Sequence, residues 1–197
     1  MVTHALGVVF SLVALGVMLI LSRRDAVMAV SAGVFGLSLV LLYSSSTLYH
    51  YCTSPQWKAR FQAFDHACIY LLIAGSYTPV TLITLKGPWG WALFGAVWTM
   101  AVTGCLMKTL WKGQKDHWIS TALYLLMGWL ILIAIGPLRH HMSVAGVWWF
   151  TAGGCSYSLG VIFFAWKRLP FNHAIWHLFV LAGSACHVVA TCQFIFR

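Results

Sequence analysis

The chain has 197 residues, 61% of them hydrophobic and 8% charged, with a formal net charge of +9. So few charges exclude a soluble globular protein, in which about a quarter of residues are charged. The 12 basic residues are scattered between apolar runs rather than gathered on one face, which excludes a nucleic-acid partner. Glutamate is absent, and the only carboxylates are Asp25, Asp65 and Asp116.

Hydropathy predicts an all-α membrane protein, a single bundle of seven transmembrane helices of about 20 residues each, the length that crosses a bilayer. The first span, at about 3–22, has no basic stretch ahead of it and no small-x-small site behind it, so it reads as a retained helix and not a cleaved signal. The second, at about 26–51, ends in "SSSTLYH", and the third, at about 62–85, opens with "FDHACIY". Pro79 should kink the third span and free carbonyls that Ser76 or Thr78 can help satisfy. The fourth and fifth are expected at about 88–107 and 118–136. The sixth, at about 143–165, carries "GGCSYSLG", whose pairs Gly154/Ser158 and Ser156/Gly160 make a small-residue stripe suited to close packing. The seventh, at about 173–195, opens with "NHAIWH". Between spans lie charged connections with Pro or Gly, among them "CTSPQWKAR", "KTLWKGQKD" and "KRLPFN".

Lys58, Arg60, Lys108, Lys112, Lys115, Lys167 and Arg168 fall on the side of the N-terminus, against Arg23, Arg24, Lys86, Arg139 and Arg197 on the other. The positive-inside rule then predicts a cytoplasmic N-terminus and an outer C-terminus. Trp57, Trp89, Trp91, Trp111, Trp118, Trp148 and Trp149 stand near predicted helix ends, as interfacial anchors do. The six cysteines form no CxxC pair and read as small core residues.

Ionisable residues inside a bilayer are costly and usually face a cavity or a partner. Ser46 and His50 share one face at the end of the second helix, and Asp65 and His66 stand in the first turn of the third. His173 and His177 share a face at the start of the seventh, about 6 Å apart along its axis. Parity brings all three helix ends to the same membrane face. Three neutral imidazoles, His50, His173 and His177, supply the nitrogen set that a catalytic Zn2+ site uses, with a fourth position open to water. Asp65 is placed to hold that water or one histidine, and Ser46 to donate to a developing oxyanion. Asn172 and His66 stand beside the ligands as supporting residues. His187 lies about 15 Å deeper by helical rise and is expected to bond across helices or line a polar cavity. Lone histidines near helix ends, His4, His117, His140 and His141, read as residues of the headgroup boundary.

The stretches "SSTLYH" (45–50), "FDHACIYLLIAGSYTPV" (64–80), "YLLMGWL" (124–130), "YSLGVIFF" (157–164) and "NHAIWHLFVLAGSACH" (172–187) resemble the haemolysin III family of bacterial inner-membrane proteins, a branch of the progestin and adipoQ receptor superfamily. The resemblance departs at the N-terminus, where relatives usually carry an acidic amphipathic segment before the stretch matching "THALG" at 3–7. It implies seven spans with a cytoplasmic N-terminus, zinc held by His50, His173 and His177, Asp65 near the metal-bound water, and Ser46 in a Ser-x-x-x-His pattern. It further implies kinship with adiponectin receptors and, more distantly, alkaline ceramidases.

The leading functional expectation is a zinc-dependent intramembrane hydrolase of a lipid amide or ester, acting on membrane lipids, releasing a free fatty acid and serving membrane lipid homeostasis. A second is a sensor or receptor-like regulator of membrane state in which zinc is structural. A third, cytolytic activity, comes from the family name, although no helix carries a polar stripe long enough to line a channel. Bis-histidine haem binding is disfavoured, because His173 and His177 stand on one helix and cannot approach a haem iron from opposite faces.

Overall fold

The computed structural model describes residues 2–110 and 118–197, and among these it contains helices and no strand. The helices are α1 (Val2–Ser22), α2 (Ala26–Tyr51), α3 (Pro55–Pro79), α4 (Gly87–Leu110), α5 (Trp118–Trp129), α6 (Ile135–His141), α7 (Val144–Ala165) and α8 (Asn172–Phe194). A π-helical turn, Val80–Leu85, prolongs α3, and a 3-10 turn, Leu130–Ala134, joins α5 to α6. Counting α5 to α6 as one stretch, Trp118–His141, seven helical stretches among the described residues are long and apolar enough to cross a membrane. The protein is therefore a multi-pass membrane protein, as its hydropathy predicts. Trp111, Lys112, Lys115, Asp116 and His117 lie outside the described residues.

Two boundaries differ from expectation. The third span begins at Pro55 rather than near residue 62, so most of the "CTSPQWKAR" connection is helical. Ser54 is extended and Pro55 occupies the first turn, where its missing N–H costs nothing. Trp57, Lys58 and Arg60 stay exposed, with the Arg60 guanidinium 5.0 Å from the Trp57 ring centre. The fifth span continues to His141, because Pro137 stands in the first turn of α6, where proline is tolerated.

The break between α5 and α6 leaves backbone groups unpaired at membrane depth, which hydrocarbon does not tolerate. Tyr77 repairs it from α3. Its hydroxyl stands 2.9 Å from the carbonyls of Met127 and Gly128 and accepts from the N–H of Ile131 at 2.9 Å. Around Pro79, Ser76 donates to the Ile73 carbonyl and Thr78 to that of Ala74. Thr81, unremarked in the sequence, donates to Tyr77 and Thr78 at the start of the π turn.

Helix α1 packs on α2 and α8, α2 on α3, α3 on α4, and α7 on α8, while α5 touches α3, α4 and α7 and closes the ring. Glycine sets two of these approaches: a Cβ on Gly7 would run into the Tyr43 ring, and one on Gly153 into His187. The sixth-span stripe faces two neighbours. Ser156 donates to the Phe179 carbonyl on α8, whereas Ser158 accepts from the Trp129 indole on α5. Tyr43 on α2 and Tyr157 on α7 both meet the Ser184 hydroxyl of α8, at 2.8 and 2.9 Å.

The cysteines are all free, but only Cys68 and Cys192 are buried. Cys155 is exposed, because it sits on the outer side of α7, so the expectation of six core cysteines holds for two. Trp57, Trp89, Trp91, Trp118, Trp148 and Trp149 are all exposed, as anchors at an interface are.

Candidate metal centre and adjoining cavity

His50 stands in the last turn of α2, and His173 and His177 occupy successive turns at the start of α8. The path into α8 is fixed locally. Phe171 takes a left-handed conformation, φ 60°, and Asn172 donates to the carbonyls of Phe163 and Phe164 at 3.3 Å each. Asn172 thus ties α8 to the end of α7, and it supports the histidines through the backbone, not through their rings.

The ligand-capable nitrogens of His50, His173 and His177 all lie within 4.8 Å of one another. His50 Nε2 and His173 Nε2 are 3.2 Å apart. Two nitrogens bound tetrahedrally to zinc at 2.0–2.1 Å would stand about 3.3 Å apart, so this pair already has the separation of two ligands. His177 has its Nδ1 3.3 Å from the Thr3 hydroxyl. With the ring proton on Nδ1 and donated to Thr3, the Nε2 lone pair is left over, and that atom is buried without a hydrogen-bond partner. A buried polar atom of this kind ordinarily has a partner, and a cation shared with His50 and His173 supplies one. The donor set therefore fits a divalent metal of zinc's preferences.

Ser46, one turn before His50, is fully buried, and its hydroxyl has no partner. Asp65, 4% exposed, and His66 lie on the wall of a cavity formed mainly by α3, α5, α7 and α8, with α1 and α2 each adding a residue. The His66 carbonyl accepts from Tyr124. From Asp65 to Tyr77, also on the wall, is about 18 Å by helical rise. His187 lines the far end, with Nε2 3.3 Å from the Phe150 carbonyl of α7; the expected contact across helices is present, while the cavity it lines is apolar and not polar. A smaller cavity shares Tyr77 and His187 with the first and continues toward Leu138 and Val147. Most of the wall is apolar, and the α5 and α7 sides of it are little buried, with Met127 the one buried residue of α5.

The structure corrects the reading of His4. It is 1% exposed, not at a headgroup boundary, and its ring stacks on that of His177 with centres 3.5 Å apart and planes 14° apart. His140 and His141 are exposed, as expected of boundary residues. The missed signal was available: the start of the first helix falls at the same membrane face as the end of the second and the start of the seventh, so parity places Thr3 and His4 at the same face as His50. Of these four imidazoles, His4 alone lies on the cavity wall, while the three candidate ligands stand behind it.

A seven-span helical membrane protein with a triad of histidines, one buried and two partly buried, able to hold a metal is the class that fold and site define. The model of the family described as haemolysin-III related matches residues 1–188, and the chain belongs to that family. It is 47% identical to hemolysin-3 of Bacillus cereus, across 93% of this chain and 84% of that protein. It is 45% identical to the hemolysin-3 homolog of Bacillus subtilis, across 93% and 87%. It is 30% identical to the monocyte to macrophage differentiation factor of Homo sapiens, across 99% and 82%.

Proposed function

We propose that the protein is a zinc-dependent hydrolase of a lipid amide or ester in the bacterial inner membrane, with its N-terminus and site at the cytoplasmic face. The observation that carries this reading is the convergence of three imidazoles able to share one ion, joined through the stacked His4 ring to an apolar cavity whose wall also carries the buried Asp65.

His50, His173 and His177 would hold the ion through Nε2. Zinc bound there supplies Lewis acidity toward a water and a carbonyl oxygen. Asp65 takes the proton from the attacking water and returns it to the departing amine or alcohol, so that one water is consumed and a fatty acid and its former partner are released. The Ser46 hydroxyl, uncommitted to any other group, donates to the oxyanion as it forms. The apolar wall takes the acyl chain, which enters from the bilayer.

Purified protein in lipid nanodiscs, incubated with a panel of ceramides and acyl esters, should release fatty acid, and Asp65→Asn should abolish release while keeping its zinc. No turnover on any lipid of the panel would remove the enzymatic reading.

One observation favours a second reading. The candidate ligands do not themselves line the cavity, which suits a structural ion that pins α2 to α8 in a sensor of membrane state. An exchangeable water on the metal separates the two: chemistry requires it, and a structural site lacks it. Cytolysis, the activity in the names of the Bacillus relatives, has no such support, since no described helix carries a long polar face.

A further inference from the structure

We propose that His4 is the residue that hydrogen-bonds the carbonyl head of the lipid held in the cavity, standing between that ligand and the histidine triad. The inference rests on the lipid-ligand reading above and adds to it a residue outside the expected site.

His4 is 1% exposed, and neither ring nitrogen has a hydrogen-bond partner. Burying two polar atoms in hydrocarbon surroundings without partners is costly, and native interiors seldom leave such groups unpaired. Packing against its neighbours does not remove that cost. The ring is held on one face by His177 and at an edge by Tyr43, whose ring centre is 5.1 Å away with planes 87° apart. These contacts fix its orientation but accept no hydrogen bond in its plane. Trp176 stands on a further side, its ring centre 6.4 Å away, and His4 forms part of the cavity wall together with Asp65.

A neutral imidazole offers one N–H donor and one lone pair. The donor suits the carbonyl oxygen of an amide or ester, and no bond is made or broken at His4. The residue acts by fixing where the carbonyl sits relative to Asp65 and the triad. It is not itself one of the three grouped ligands, so the ion should remain when the ring nitrogens are removed.

The test uses the full-length protein in nanodiscs, with N-palmitoyl sphingosine as the amide probe and palmitoyl glycerol as the ester probe. Wild type, His4→Phe and His4→Gln are compared for bound zinc and for probe affinity. His4→Phe keeps a stacked ring without nitrogens and should bind the preferred probe about tenfold more weakly, the loss expected for one hydrogen bond, at unchanged zinc. His4→Gln restores a donor and should recover most of that affinity. Should His4→Phe fail to fold, His4→Asn, whose amide is drawn back by one methylene, replaces it, with the same weakening expected. Equal probe affinity in wild type and the nitrogen-free variant would overturn the proposal and leave the lipid reading standing. Loss of zinc from a folded His4→Phe would also overturn it, by making His4 a support for His177 instead. Failure of the wild type to bind either probe would defeat the lipid reading, and this inference with it.

Discussion

His50 and His173 bring their Nε2 atoms to 3.2 Å across 123 positions of sequence, joining the end of α2 to the start of α8. Two imidazoles at this distance either share a single proton or ligate a common cation, and the unpartnered Nε2 of His177 favours the cation. Since an ion there would tie together helices from opposite ends of the chain, it stabilises the folded bundle and not the unfolded chain. Stripping the metal with a chelator should therefore lower the midpoint of thermal unfolding by about 5–10 °C, and stoichiometric zinc should restore it. An unchanged midpoint would argue that no ion links the two helices.

Metal affinity should weaken on acidification. Imidazole binds a cation only through a neutral nitrogen, so protons compete with zinc, and the competition eases as pH rises. Zinc affinity measured against a competing chelator should fall between pH 7 and about pH 5 and show no fall between pH 7 and 8. A flat profile over the acid range would point to a ligand set other than histidine.

Tyr77 should matter to stability more than a lone phenol usually does. Its hydroxyl serves Met127, Gly128 and Ile131 at the break in the fifth span, and Tyr77→Phe leaves those groups without it inside the bilayer. The expected cost is about 1–3 kcal/mol, read as a lower unfolding midpoint at unchanged zinc content. A neutral substitution would mean that the break is satisfied by other groups.

The distribution of basic residues predicts a cytoplasmic N-terminus. A reporter that works only after export, fused behind Arg197, should be active, and the same reporter placed between α2 and α3 near Ser54 should be silent. The reverse pattern would put the histidine site at the outer face.

Helix number was legible because an apolar run of about 20 residues has few alternatives. The histidine triad was legible because parity sorts helix ends between two faces without knowledge of packing. The same rule covers His4, which went unread because a polar residue beside a chain end looks the same whether it meets headgroups or another imidazole. The early start of α3 was hidden because Lys58 and Arg60 can stay solvated on a helix that rises out of the membrane. The break at Leu130–Ala134 was hidden because its compensation comes from Tyr77, more than 50 positions away. Close approaches such as Gly153 to His187 depend on helix pairing, which hydropathy does not encode.

Metal analysis of the purified protein beside His50→Ala, His173→Ala and His177→Ala addresses the site most directly. One zinc per chain in the wild type, lost from each variant while the helical content stays the same, is the expected result. A wild type free of bound metal after purification in zinc-containing, chelator-free buffer, or variants that keep it in full, would contradict a metal held by these three rings.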